Sequence, residues 1–247
     1  MGDREWLSEL TVCILSVKTF TSRIDSINRQ LLPLGIPFQF VFRYDVEDFQ
    51  NEALPAQFER DSILTLPERS IVAKHIEAWQ LALDSGKPYA LVLEDDAILH
   101  PNFVDNLKQI IKQAKILKPG FLINLGGANS RVPLALYRNP QFFYPFPMET
   151  SEGYISDRLS MERRLDWLQK NRVDRSADHM TRHIDSVMST VHLWPKQALV
   201  EQGSLFGAFK SSLDEGRASR IRQFLKFSYE SKKFRRRTLK YWISNVL

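Results

Sequence analysis

Tyr89-Ala-Leu-Val-Leu-Glu-Asp-Asp-Ala-Ile98 decides how this chain is read. Ala90 to Leu93 are aliphatic, and three acids follow at once: Glu94, Asp95 and Asp96. A short apolar run of this kind is a central strand whose side chains alternate between the faces of a sheet. Three adjacent carboxylates cannot remain inside that sheet, because an unpaired buried carboxylate is prohibitively costly. They emerge at the carboxyl end of the strand, which is where open α/β sheets bind ligands. Alternation sends Glu94 and Asp96 to one side and Asp95 to the other. A cation shared by two of them offsets their repulsion, and such oxygen ligands suit Mg²⁺ or Mn²⁺ with substrate phosphates completing the shell. A solvated acidic turn, or Asp96 as a helix cap, is the structural alternative.

Outward from this stretch the chain alternates strand and helix. Leu10–Val17 reads as a buried strand, a polar helix follows over about Ser22–Leu32, and Pro37–Phe42 gives a second strand running into Asp45. That βαβ unit favours a parallel sheet with right-handed crossovers. Residues 46–66 read as a loop. A helix is expected from about Pro67 to Ser85, with proline in its first turn, Glu68 on its N-terminal dipole and Gly86 at its stop. Pro101–Leu117 reads as another helix and Phe121–Leu125 as a strand ending in Gly126-Gly127. Residues 131–149 are expected as a surface excursion. Gly153–Ser156 leads into a helix from about Asp157 to Lys170, and residues 171–206 have no clear period.

At 247 residues, 43% hydrophobic and 11% aromatic, the chain can bury a core without disulfides or structural metals. Its one cysteine, Cys13, excludes an internal disulfide and reads as a small core residue. No apolar run approaches the ~20 residues of a membrane span. Met1–Leu10 carries Asp3, Arg4, Glu5 and Glu9 rather than a signal sequence, so a cytoplasmic protein is expected. Charge is unevenly placed. Residues 217–247 hold ten Lys/Arg against Glu230, a net +9, which leaves −4 of the chain's +5 on residues 1–216. Aromatics such as Phe224, Phe227 and Trp242 interleave with those cations, as in a basic amphipathic helix at an anionic membrane surface. A helix packed on the body is the alternative. A nucleic-acid partner is not expected, because the body is acidic and lacks a recognition module. The expected division is a catalytic domain over 1–210 and a basic tail over 211–247.

The motifs resemble those of family 25 glycosyltransferases. Ala90–Ala97 is similar to the family's Glu-Asp-Asp signature, and Cys13–Val17 with Arg23 to its opening strand and Arg. Leu34–Phe40 followed by Asp45 resembles its second strand. Glu68, His75 and Trp79 resemble its Glu…Ser-His-x-x-x-Trp helix. Leu125-Gly126, Gly153–Ser156, Ala177-Asp178 and the run from Trp194-Pro195 to Glu201, Gln202 and Ser204 resemble later elements in order. The departures are Val46 for a Gly, Ser70-Ile71 for Gly-Cys, Lys74 for a Ser and Ser176 for a Pro.

The resemblance implies an α/β, GT-A-like (Rossmann-like) fold and inverting transfer of a hexose, most often galactose, from a UDP-sugar to a glycan or lipid-linked lipopolysaccharide-type acceptor. Such an enzyme, acting on a lipid-linked acceptor, would sit peripherally on the inner membrane face. Glu94 and Asp96 are the metal candidates, for Mn²⁺ or Mg²⁺. Donor-binding candidates are Ser16, Asp45, Glu94, Asp95, Asp96, Gln202 and Ser204. Asp95 is a third ligand or a sugar-hydroxyl acceptor, and Asp178 is the first candidate for acceptor base, with Asp185 and Glu152 as alternatives. His75 and Trp79, one helical turn apart, are expected to support the site floor. His179, His183 and His192 are possible further metal ligands or ordinary surface histidines. Two other classes stay open: a metal-dependent phosphohydrolase or nucleotidyltransferase, and a non-catalytic binding protein on a degenerate transferase fold.

Overall fold

The computed structural model describes residues 4–50, 54–126, 132, 136, 140–148, 150–206, 209 and 231. The basic segment 217–247, apart from Ser231, lies outside the described residues, as do the boundary at 210/211 and Gly127.

A seven-stranded sheet forms the centre, in the order β2-β1-β3-β7-β5-β8-β6. Its strands are β1 (Leu10–Leu15), β2 (Gln39–Val41), β3 (Tyr89–Glu94), β5 (Phe121–Asn124), β6 (Phe143–Pro145), β7 (Gly153–Asp157) and β8 (Val191–Pro195). β1 pairs in parallel with β2 and β3, and β5 with β8, while β7 runs antiparallel to both its neighbours and β6 antiparallel to β8. Five strands therefore share one direction and two oppose it. This is the α/β, mostly parallel sheet the sequence led us to expect.

Alternation along the strands makes two cores. Leu10, Val12, Ile14, Leu91 and Leu93 face helices α1 (Thr21–Leu31) and α3 (Phe103–Ala114), whose Ile27, Leu107 and Ile111 complete that side. Cys13, Leu15, Ala90 and Val92 face α2 (Leu66–Asp84), α4 (Arg158–Leu168) and α5 (Ala177–Val187). Each large aliphatic buried here contributes roughly 1.5–3 kcal/mol. Cys13 is a small core residue at 0% exposure, and burial pushes its thiol up to about 12.

Three departures have physical reasons. The segment expected as a surface excursion contributes β6 to the sheet edge and buries Tyr144 and Met148, because its aromatics pack with Val132 and Trp194 instead of facing water. The stretch 171–206, without a readable period, holds α5, β8 and β9 (Val200–Gln202). Tyr89–Ile98 is split: β3 ends at Glu94, Asp95-Asp96 turn, and β4 (Ala97–Leu99) pairs antiparallel with β9 in a separate two-stranded sheet. Among the described residues, no helix is long and apolar enough to cross a membrane.

Candidate active site

The acids emerge where the sequence requires. β1 and β3 run in register, with Leu15 opposite Glu94, so Ser16 and Asp95 leave the sheet side by side. The Asp95 amide donates to the Leu15 carbonyl at 3.0 Å. Its carboxylate accepts from Ser16 Oγ at 2.7 Å and from Arg23 Nη1, on the first turn of α1, at 2.9 Å. Arg23 is itself flanked by Phe20, 4.9 Å from the ring centre, and Phe209, at 5.8 Å. Burial raises the Asp95 carboxyl above its ordinary range, and Arg23 and Ser16 only partly offset that.

Glu94 and Asp96 are held differently. Glu94 accepts from Ser151 Oγ at 2.8 Å, and its amide donates to the Glu152 carbonyl at 3.1 Å. Burial, with the charges of Asp96, Glu152 and Asp95, pushes Glu94 up to about 8. Asp96 is 2% exposed; its carbonyl accepts from Gly203 N at 2.9 Å and its Oδ2 from Ser204 N at 3.2 Å. Its Oδ1 is buried with no hydrogen-bond partner. An orphaned carboxylate oxygen beside an acid that resists ionisation fits a divalent cation, which would satisfy the first and restore charge to the second. Among the described residues, no group of three or more His, Cys, Asp or Glu is arranged to hold a metal ion. Two carboxylates suit Mg²⁺-type binding, in which substrate phosphates and water supply the remaining ligands.

Beside the acids lies a pocket of about 230 Å³ between the first turns of α1 and α2. Phe20, Val46 and Ile71 give it apolar walls, while Ser16, Arg23 and Lys74 supply polar groups. Asp45 does not line this pocket. Its Oδ1 accepts from Lys74 Nζ at 2.7 Å and its Oδ2 from the Lys18 amide at 3.0 Å, in a buried pair. Lys74 also donates to the Arg43 carbonyl at 2.8 Å. Burial pulls its ammonium below the ordinary value, partly offset by Asp45. Just before this pair, Tyr44 is left-handed at φ 65°, and its carbonyl accepts from Ser70 Oγ at 2.6 Å. The turn that aims Asp45 is thus fixed by Ser70 and Lys74, two of the positions that depart from the family pattern.

The other candidates are dispersed. Gln202 lies on β9 opposite Ala97, and Ser204 meets Asp96 through its backbone. Asp178 sits at the start of α5, where its Oδ1 accepts from Ser176 Oγ at 2.8 Å and from the His179 amide at 2.9 Å. Asp185 is gripped by Arg164 through two hydrogen bonds of 2.7 Å and by His192 Nε2 at 2.7 Å. With both oxygens so engaged, it is not available as a base. Glu152 is 3% exposed and lies against Gly126, where a Cβ would overlap its carboxylate. His75 and Trp79 lie in the core, where Tyr154 Oη meets His75 Nδ1 at 2.9 Å and accepts from Trp79 Nε1 at 2.8 Å. His179 and His183 are on a helix rather than a loop, and with His192 they line another groove.

Sequence reasoning missed Ser151, which holds Glu94, because a serine before a strand carries no signal by itself. It placed Glu68 at the start of this helix but not its partner: Glu68 forms a reciprocal capping box with Thr65. The Thr-x-x-Glu spacing was the available sign.

Comparison with known proteins places the chain in a family. Among solved structures, a glycosyltransferase involved in the glycosylation of the major capsid of PBCV-1 is similar at 9% identity over 90% of this chain and 98% of that chain, with a TM-score of 0.46. Mouse xyloside xylosyltransferase 1 is similar at 15% identity over 75% and 72%, TM-score 0.42. Mannose-1-phosphate geranyltransferase from Thermus thermophilus is similar at 11% identity over 86% and 80%, TM-score 0.45. No curated protein matches the chain. The model described as glycosyltransferase family 25 (LPS biosynthesis protein) matches residues 10–149, more than half of the sequence, from β1 through the three acids and beyond β5. By that match, the chain belongs to glycosyltransferase family 25.

Proposed function

We propose that this glycosyltransferase moves a hexose, with galactose the first choice, from a UDP-sugar to a hydroxyl of a glycan or lipopolysaccharide-type acceptor with inversion. The observation that carries the reading is the buried, unpartnered Oδ1 of Asp96, next along the chain to Glu94 and Asp95, which themselves line a pocket walled by Phe20, Val46 and Ile71. The apolar walls suit a nucleobase, and Arg23 brings a guanidinium to the pocket for a diphosphate. Glu94 and Asp96 would hold Mn²⁺ or Mg²⁺, which as a Lewis acid neutralises the charge developing on the leaving diphosphate.

Inversion requires a carboxylate that accepts the acceptor hydroxyl's proton. Of the three candidates we assign Glu152, because its carbonyl accepts from the Glu94 amide at 3.1 Å, which sets it beside the acids, whereas Asp185 is taken up by Arg164 and His192. Glu152→Gln is expected to lower kcat by about a hundredfold or more. Asp178→Asn is expected to change kcat little. The reverse pattern would make Asp178 the base. Ser151 keeps Glu94 aimed, and Ser16 and Arg23 keep Asp95 fixed toward the pocket. The basic segment 217–247 is proposed to hold the enzyme at the anionic inner face of the membrane, which sedimentation with anionic vesicles would test.

Titration calorimetry with UDP-galactose, UDP-glucose and UDP-N-acetylglucosamine, in Mn²⁺ and in chelator, tests the donor. One donor is expected to bind in a metal-dependent manner, at least about tenfold more weakly to Asp96→Asn. Binding of none of them, nor of UDP, would overturn the transferase reading. Hydrolysis of the donor at an acceptor-independent rate would point to a phosphohydrolase.

A further inference from the structure

A second groove lies toward the far edge of the sheet, between α5 and Pro145-Phe146-Pro147, at the end of edge strand β6. It is reached from β3 across three strand spacings, about 14 Å, and opens at the amino end of β8, opposite the acids. Its volume is about 650 Å³. His179, Arg182, His183 and Ser186 are spaced as one outward face of α5, while Met180 and Ile184 occupy the opposite, buried face. Arg175 adds a second guanidinium, and no Asp or Glu is among the described residues lining the groove.

The nearby acids are otherwise engaged. Asp174 pairs with Arg175 through Nε at 2.6 Å and Nη2 at 2.9 Å, so Arg182 is the guanidinium the groove relies on, and Asp185 is held in its pair with Arg164 and His192. His192 accepts from the Met148 amide at Nδ1, 2.9 Å, and donates to Asp185 from Nε2. Thr190 also lines the groove. It is 9% exposed, and its Oγ1 is buried without a hydrogen-bond partner. Buried hydroxyls are normally satisfied, so this one is suited to meeting a ligand group. Guanidinium and imidazole groups opposite a Pro/Phe wall suit a ring that carries both charge and an apolar CH face.

We propose that this groove binds an anionic saccharide, a sugar bearing phosphate or carboxylate groups, and docks a charged part of the acceptor away from the reacting centre. As an acceptor-docking site it rests on the transferase reading; as a binding site it stands on the groove alone.

The test is side-chain NMR of ¹³C-histidine-labelled full-length protein, titrated with sulfated maltotetraose, with unmodified maltotetraose and with inorganic pyrophosphate. Sulfated maltotetraose is expected to shift His179 and His183 saturably, and the neutral sugar is expected to shift neither. Arg182→Ala is expected to weaken that binding about tenfold, as loss of a charge-assisted contact does. Thr190→Val, which removes an oxygen with no native partner, is expected to weaken binding while leaving Tm unchanged or higher. Asp96→Asn is expected to bind the probe as the wild type does. If the sulfated sugar binds without moving these histidines, the basic tail is the binder and the proposal fails. If pyrophosphate saturates the same shifts at the same concentration, the groove recognises anions alone and the saccharide assignment fails. Loss of UDP-sugar binding in the separate calorimetric experiment would overturn the transferase reading and leave the groove result standing.

Discussion

Arg164 and Asp185 are both 0% exposed and joined by two hydrogen bonds of 2.7 Å, with the guanidinium 5.0 Å over the Trp79 ring. A buried pair of this geometry is dangerous to break, because the surviving charge has no water. Asp185→Asn is therefore expected to cost about 3–5 kcal/mol, read as a lower urea midpoint. Burial alone would raise the Asp185 carboxyl, but Arg164 and His192 outweigh it and hold the group below 3.8. The stability this supplies is present above 3.8 and is lost as pH falls through the lower folded value. His75 acts in the same direction. Burial, with a smaller contribution from Arg164, lowers its ring from 6.5 to about 3, so below 6.5 the unfolded chain takes a proton that the folded chain refuses. Its imidazole signals are expected not to titrate between about pH 7 and 4, and a midpoint near 6.5 would contradict the burial argument.

Elements were legible where a local rule fixes them. β3 was readable because an aliphatic run meets charges, and α2 because proline and acid mark its start and glycine its stop. The cap itself is expected to be worth about 1 kcal/mol, so Thr65→Ala should lower thermal stability by that amount without altering donor binding. Elements with little local signature were not legible. β9 is three residues long and exists by pairing with β4, and β6 is an edge strand held by Trp194 and Val132. Both depend on contacts far along the chain, which periodicity does not report. Directly after β9 comes a backbone position with no room for a side chain. A Cβ on Gly203 would lie 2.7 Å from the Asp96 carbonyl oxygen. Gly203→Ala is thus expected to displace the Asp95-Asp96 turn and weaken Mn²⁺-dependent donor binding while the circular-dichroism spectrum stays unchanged.

Across the whole molecule, the sequence located the acids at the end of a central strand but not what surrounds them. Asp45 looked like a nucleotide contact because it follows the second strand; the long-range partner Lys74, 29 residues away, holds its carboxylate in a buried pair. Asp185 looked like a spare carboxylate until Arg164 and His192 converged on it from other elements. Side-chain type and spacing reveal which groups can do chemistry. Whether a given carboxylate is already committed depends on the tertiary partners that reach it.

The clasp of β9 on β4 carries a consequence for the order of assembly. Asp96 lies in the first half of the chain, yet its backbone and one carboxylate oxygen are fixed by Gly203 and Ser204, which a ribosome adds more than a hundred residues later. A nascent chain released before Val200 can pair β1 with β3 but leaves the Asp95-Asp96 turn without its outer support. The growing polypeptide therefore completes the support of this turn only after more than a hundred further residues have been added, and products terminated before Val200 should lose donor binding.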